Sequence, residues 1–341
     1  MRLAFAAVAI AAACLQGADA IMPYTPITGL VAAVYTPFDE QLALDTSVVV
    51  KQAAYLNATG VHHVLVAGTT GESVKLTVAE RKQLAEAWAA VAPTYGINLF
   101  IHVGANAMAD AQELARHAAS IKAAGLVAMS STYFRPSSVD ALVSQLADIF
   151  GAAPLLPAWY YHIPSMTGDN YFRGFDMHAL LVADITDGET SLPTLRPRIP
   201  NLVGIKFTDY DLYTFKRCID FNGGEFNLLY GRDEQLLGAA AMGAEGAVGS
   251  TYNFAGVWGN AVFAEFKSGN ISKAREYQRS IVNLVAIYGK AEYAGTDPGK
   301  EIMNQLGVPV GPPRGPAKPM TADQITQLRA DMKAVGLIPV A

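Results

Sequence analysis

Phe226-Asn227-Leu228-Leu229-Tyr230 and Gly246-Ala247-Val248-Gly249-Ser250 are short apolar runs separated by residues 231–245, a stretch of helical period. Strand, helix and strand in that order make one unit of a parallel sheet, since antiparallel neighbours need only a tight turn between them. Working outward toward the N-terminus, the same alternation recurs with runs at 203–206, 157–161, 127–130, 99–103, 63–66 and 29–35. Eight units is the closure number of a (β/α)8 TIM barrel. An open doubly wound sheet shares the alternation, but eight units without a dinucleotide fingerprint favour closure. The intervening helices have legible starts: Thr77 with Glu80 has the pattern of a capping box, and Ser137 or Ser138 precedes Leu142, Leu146 and Ile149. Beyond the eighth run, helices are expected around 257–266, 272–288 and 321–335, with a Gly/Pro-rich connector at 307–319.

The chain therefore divides into a barrel over 21–268 and a C-terminal helical extension over 269–341. Residues 1–20 read differently: Arg2, an apolar run over 3–15, then Ala18-Asp19-Ala20 form the pattern of a secretory signal peptide. On that reading the mature protein is secreted and leaves the membrane once the signal is cleaved; without a signal the same chain would be cytoplasmic. Cys14 lies in the leader, so only Cys218 survives processing and no internal disulfide can form. A formal charge of −5 without a dense Lys/Arg cluster argues against a nucleic-acid partner. The sequons at Asn57 and Asn270 are short patterns that arise often by chance.

Lys206 is the residue with the strongest chemical meaning, because it ends a strand run whereas the other lysines fall in helix, loop or tail segments. At a barrel mouth, desolvation favours the neutral amine, a nucleophile that forms an iminium with a ketone. The iminium nitrogen then accepts the electrons of an adjacent breaking carbon-carbon bond. A structural ion pair with Asp209 or Asp233 is the competing reading of the same lysine, and the strand context leaves both open. Tyr161 closes the neighbouring run and could relay a proton. Gly68-Thr69-Thr70-Gly71-Glu72 offers backbone N–H groups and hydroxyls to an anion, although Gly and Thr also serve simply to turn a loop. Gly231-Arg232-Asp233-Glu234 and Gly249-Ser250-Thr251 set carboxylates and hydroxyls at the same mouth, where they suit a polyol or begin a helix. The six histidines show no metal-ligand spacing, and Schiff-base chemistry asks for neither metal nor cofactor.

Taken together, Gly68–Glu72, Tyr161-x-Ile163-Pro164, Gly204-Ile205-Lys206-Phe207-Thr208-Asp209 and Gly246-Ala247-Val248-Gly249-Ser250-Thr251 resemble the N-acetylneuraminate lyase and dihydrodipicolinate synthase superfamily. Within it, 160–168 and 230–253 look most like the animal-type sialic acid lyases. The resemblance implies that Lys206 forms the Schiff base, that Tyr161 assists proton transfer, and that Thr69 and Thr70 hold the carboxylate. Thr208, Gly231, Asp233, Glu234 and Ser250 match positions that contact the sugar chain. It implies reversible cleavage of N-acetylneuraminate to N-acetylmannosamine and pyruvate in a homotetramer.

Three positions depart from the family pattern. Met166 stands where the synthases place an arginine for a second carboxylate, which disfavours a synthase. Ser73 replaces a usual glycine, and Phe134 a tyrosine that in bacterial members often reaches a neighbouring subunit. The alternatives are another pyruvate-dependent aldolase, dihydrodipicolinate synthase-like or acting on another sugar acid, and a secreted, non-catalytic sialic acid binding protein.

Overall fold

The computed structural model describes residues 24–168 and 199–337. The expected signal segment, 1–20, lies outside them. Eight strands run in parallel: β1 (Gly29–Ala33), β2 (His63–Val66), β3 (Asn98–His102), β4 (Gly125–Ala128), β5 (Ala158–His162), β6 (Leu202–Phe207), β7 (Asn227–Tyr230) and β8 (Gly246–Gly249). They pair in sequence order, and β8 returns to β1 to close the barrel. The expected fold class is therefore the observed one.

Both faces of every strand are covered, which is why the runs read as continuously apolar rather than alternating. Outward residues such as Val64, Ile101, Ile205 and Phe207 pack with helical Leu56, Leu84, Trp88, Leu114 and Phe215. Inward residues Val31, Leu65, Phe100, Val127, Trp159, Leu229 and Val248 fill the lumen. The anticipated caps are present. Thr77 and Glu80 exchange side-chain and backbone bonds at the start of helix Val78–Val91, and Ser138 accepts from Ala141 N at the start of Val139–Phe150.

The strand bounds match the sequence reading at β2 and shift by one or two residues in the others; in β4 and β6 the indole of Trp159 also shapes the strand locally. β4 begins at Gly125, two residues earlier than the apolar run implied, and a Cβ at that position would collide with the Trp159 ring. A glycine that reads as a turn signal is here the space the indole occupies. In β6, Ala158 pairs with Leu202 but Trp159 pairs with Gly204, so Val203 is an extra residue. A Cβ on Gly204 would also strike the Trp159 indole. Downstream of that irregularity Ile205 and Phe207 point outward and Lys206 points into the lumen.

The helices Gly256–Lys267, Ile271–Tyr288, Pro298–Gln305 and Ala322–Ala334 follow the barrel. Leu284, Ile287, Ile302, Met303, Leu328 and Met332 form an apolar cluster with Tyr35 and Phe254 at the C-terminal ends of β1 and β8. The extension thus packs on the mouth side, beside the loops that carry the candidate site.

Candidate active site

Lys206 rises from an apolar floor of Val31, Leu65, Val127, Trp159 and Val248 and is 4% exposed. Its strand neighbour in register is Tyr161, and Lys206 Nζ stands 3.8 Å from the centroid of that ring. Among the described residues no carboxylate reaches ion-pair distance of Lys206. The two suggested partners are engaged elsewhere. Asp209 lies 3.9 Å from His162 Nε2, and that ring, foremost, holds its carboxyl below the ordinary range. Asp233 takes both bonds of Thr251, at 2.9 Å from N and 2.7 Å from Oγ1.

Tyr161 is buried, and its phenol oxygen lies 3.3 Å from Thr69 Oγ1. Thr69, Thr70 and Ser250 line one cavity of about 520 Å³ with Met129, Thr132 and Met166. Residues read from the loops after β2, β5 and β8 therefore meet at a single opening. Its loop after β2 is restrained at several points: Thr36 Oγ1 donates to Gly71 O at 2.5 Å, and Ser73 N donates to Gly68 O at 3.2 Å. The third anchor is Glu72, which adopts a left-handed φ of 57° and is 6% exposed. Oε1 accepts from Lys300 Nζ at 3.0 Å, and Oε2 from Lys75 Nζ at 2.9 Å and Arg314 N at 3.0 Å. Glu72 is thus the tether between this loop and the C-terminal extension.

On the opposite side, Gly231 follows β7 and has a packing reason to be glycine: a Cβ there would overlap Thr208 Oγ1. Thr208 is buried and its hydroxyl has no partner among the described residues. Gly249 is required in the same way beneath the Asp233 carboxylate. Burial pushes the Asp233 carboxyl up to about 6, against the lowering pull of the Thr251 bonds. Asp233 and Glu234 open the short 3-10 turn Asp233–Gln235, as the helix-start reading supposed, and Glu234 also accepts from Tyr210 Oη at 2.9 Å. Met166 is 52% exposed at the rim; Phe134, 85% exposed, stacks edge-on with Tyr133; Ser73 is buried.

Several members of the site are not legible in the sequence. Thr251 reads as one of the hydroxyls at the mouth, but that it is spent on holding Asp233 is not legible. Lys300 is 1% exposed although it lies in a helix, and it donates to Thr36 O, Glu72 Oε1 and Pro312 O. Arg81 is buried with Leu84, Ala85 and Trp88 on the core face of its helix. A cation at that step of an apolar stripe is a signal that could have been read. Among the described residues no group of three or more His, Cys, Asp or Glu side chains is arranged to hold a metal ion.

The model of the dihydrodipicolinate synthetase family matches residues 26–335. The N-acetylneuraminate lyase of Mus musculus is 38% identical over 319 residues, 93% of this chain and 95% of that protein. The solved N-acetylneuraminate lyase of Proteus mirabilis superposes with a TM-score of 0.82 at 35% identity, covering 92% of this chain and all of that one. The sialic acid aldolase of Aliivibrio salmonicida gives 0.83 at 34% identity, covering 92% of this chain and 99% of that one.

Proposed function

The chain belongs to the dihydrodipicolinate synthetase family, and we propose that it is a class I aldolase that reversibly cleaves N-acetylneuraminate to N-acetylmannosamine and pyruvate. The observation that carries the reading is the buried amine of Lys206, unpaired among the described residues and set over the Tyr161 ring, in a chain similar along nearly its whole length to sialic acid lyases. In the proposed cycle the amine attacks the ketone carbon of the open-chain sugar acid and loses water to give an iminium. The bond between the α and β carbons then breaks, and its electron pair moves to the iminium nitrogen, leaving the enamine of pyruvate. The β-carbon hydroxyl gives up its proton, and that carbon departs as the aldehyde of N-acetylmannosamine. Tyr161, fixed by the Thr69 hydroxyl, relays the proton to the α carbon. Water hydrolyses the remaining iminium to pyruvate and regenerates the amine.

Thr69 and Thr70 bind the carboxylate, which the loop after β2 meets with its own hydroxyls and backbone N–H groups. Thr208, Gly231, Asp233, Glu234 and Ser250 receive the polyol, and a carboxylate such as Asp233 is a natural acceptor for sugar hydroxyls. Met166 leaves the synthase's second carboxylate without its cation. We extend the proposal to a homotetramer, to be measured by light scattering, and to cleavage of a secretory leader after residue 20, to be measured by mass spectrometry of the mature N-terminus. Among the described residues no helix is long and apolar enough to cross a membrane.

Incubation with N-acetylneuraminate, with pyruvate followed by a coupled dehydrogenase, tests the activity. Borohydride added with pyruvate is expected to leave a reduced adduct on Lys206. An adduct without turnover on N-acetylneuraminate would transfer the assignment to another pyruvate aldolase, and absence of both would leave a binding protein.

A further inference from the structure

Behind Tyr161 lies a buried pair that the proposed cycle does not use. His102 ends β3, is fully buried, and sets its ring edge-on to Tyr161, with centroids 6.1 Å and planes 89° apart. Arg81 reaches in from helix Val78–Val91. Its Nη2 donates to His102 O at 2.6 Å and its Nη1 to Gly104 O at 3.0 Å. The same Nη2 stands 3.4 Å from His102 Nδ1. A guanidinium has donors only, so the nitrogen facing it carries the lone pair and the ring proton resides on Nε2. Burial first, then the charges of Arg81 and Lys206, hold the ring neutral far below its usual range.

The donor so aimed is not matched at normal geometry: Nε2 is buried without a hydrogen-bond partner among the described residues. Gly104 leaves it room, since a Cβ there would come within 3.0 Å. The backbone of Ala67 is the one group that favours the protonated ring. Ala67 is itself unusual, a non-glycine residue with φ of 55° at the point where the chain leaves β2 for Gly68-Thr69-Thr70. Val66 pairs with Ile101 in register, so Ala67 and His102, the next residue on each strand, stand side by side, an orphaned N–H beside a strained turn.

Resting on the aldolase reading above, we propose that His102 is a positioning residue whose Nε2–H, oriented by Arg81, restrains the Ala67 turn and so sets Thr69 and Thr70 against the keto acid carboxylate. Its role is in pyruvate binding rather than in the bond-breaking step.

Three variants of the full-length enzyme separate this from a packing role. In His102→Gln the amide N–H falls where Nε2 stands; in His102→Asn it falls at the Nδ1 position; His102→Leu removes the donor. KM for pyruvate in the condensation direction is expected to rise about tenfold in the Asn and Leu variants, which lack a donor at the Nε2 position, with kcat within about threefold. The Gln variant is expected to stay within about threefold of wild type in both. Equal KM values in the Gln and Asn variants, or a defect confined to kcat, overturn the proposal; should the Leu variant fail to fold, the Gln and Asn pair still decides. Wild-type enzyme that neither turns over N-acetylneuraminate nor traps pyruvate overturns the aldolase reading and this inference with it, a result visible before any variant is made.

Discussion

At Lys206 the absence of a partner matters more than the presence of a charge. An amine held in an ion pair is tied away from a ketone, whereas this one has aliphatic carbon and a phenol ring as its neighbours. Lys206→Ala is expected to lower turnover by roughly a thousandfold or more while the far-UV spectrum and melting temperature stay near wild type. Tyr161→Phe is expected to lower kcat by about a hundredfold and to leave pyruvate binding, followed by borohydride trapping at saturation, nearly intact. Wild-type rates in either would remove the proposed chemistry. Asp233 makes a different prediction. Its carboxyl titrates near 6 folded and near 3.8 unfolded, so its protonated form favours the native state. That contribution is complete below the unfolded value and is lost as pH rises through 6, amounting to about 3 kcal/mol. Thermal melts of Asp233→Asn should show a shallower decline between those two values than wild type, and an identical slope would refute the assignment.

At the scale of elements, β6 shows how one bulky lumen residue decides the facing of a catalytic strand. Trp159 donates to Asn227 Oδ1 at 3.1 Å, and Asn227 Nδ2 in turn donates to Ile27 O at 3.0 Å, so the indole is fixed. Gly125 and Gly204 yield space to it, and the extra residue Val203 sets the phase that turns Lys206 inward. Gly204→Ala is expected to destabilise the fold by about 1–3 kcal/mol, the usual range for overpacking a core, and to lower activity because Lys206 is two residues away. Urea denaturation measures the first effect and the pyruvate assay the second. A neutral result in both would show that the indole can shift.

The whole molecule joins barrel and extension through charge as well as apolar packing. Glu72 and Lys300, separated by 228 residues, meet at 3.0 Å with 6% and 1% exposure, and burial lowers the Lys300 ammonium's pKa while Glu72 opposes that shift. Such a pair contributes little against an apolar substitute, yet breaking it leaves a buried charge uncompensated. Lys300→Met is expected to cost about 3–5 kcal/mol in chemical denaturation, and the double variant with Glu72→Gln to recover part of that loss. Additive effects of the two substitutions would show that the contact does not couple them.

From the sequence alone the eight alternating runs, the capping box at Thr77, the last helix in outline, and the lone strand lysine were legible, because strand and helix periodicity are local properties of neighbouring residues. The family motifs likewise named Thr69, Tyr161, Thr208, Asp233 and Ser250 before any coordinate. What only the tertiary structure decided were relations between distant segments: that Lys206 faces the lumen without a carboxylate partner among the described residues, that Glu72 is spent on Lys300 and Arg314, and that Arg81 aims His102. The physical reason is that hydrogen bonds and steric exclusion act over a few ångströms. Barrel closure, and not chain order, determines which side chains come within that range.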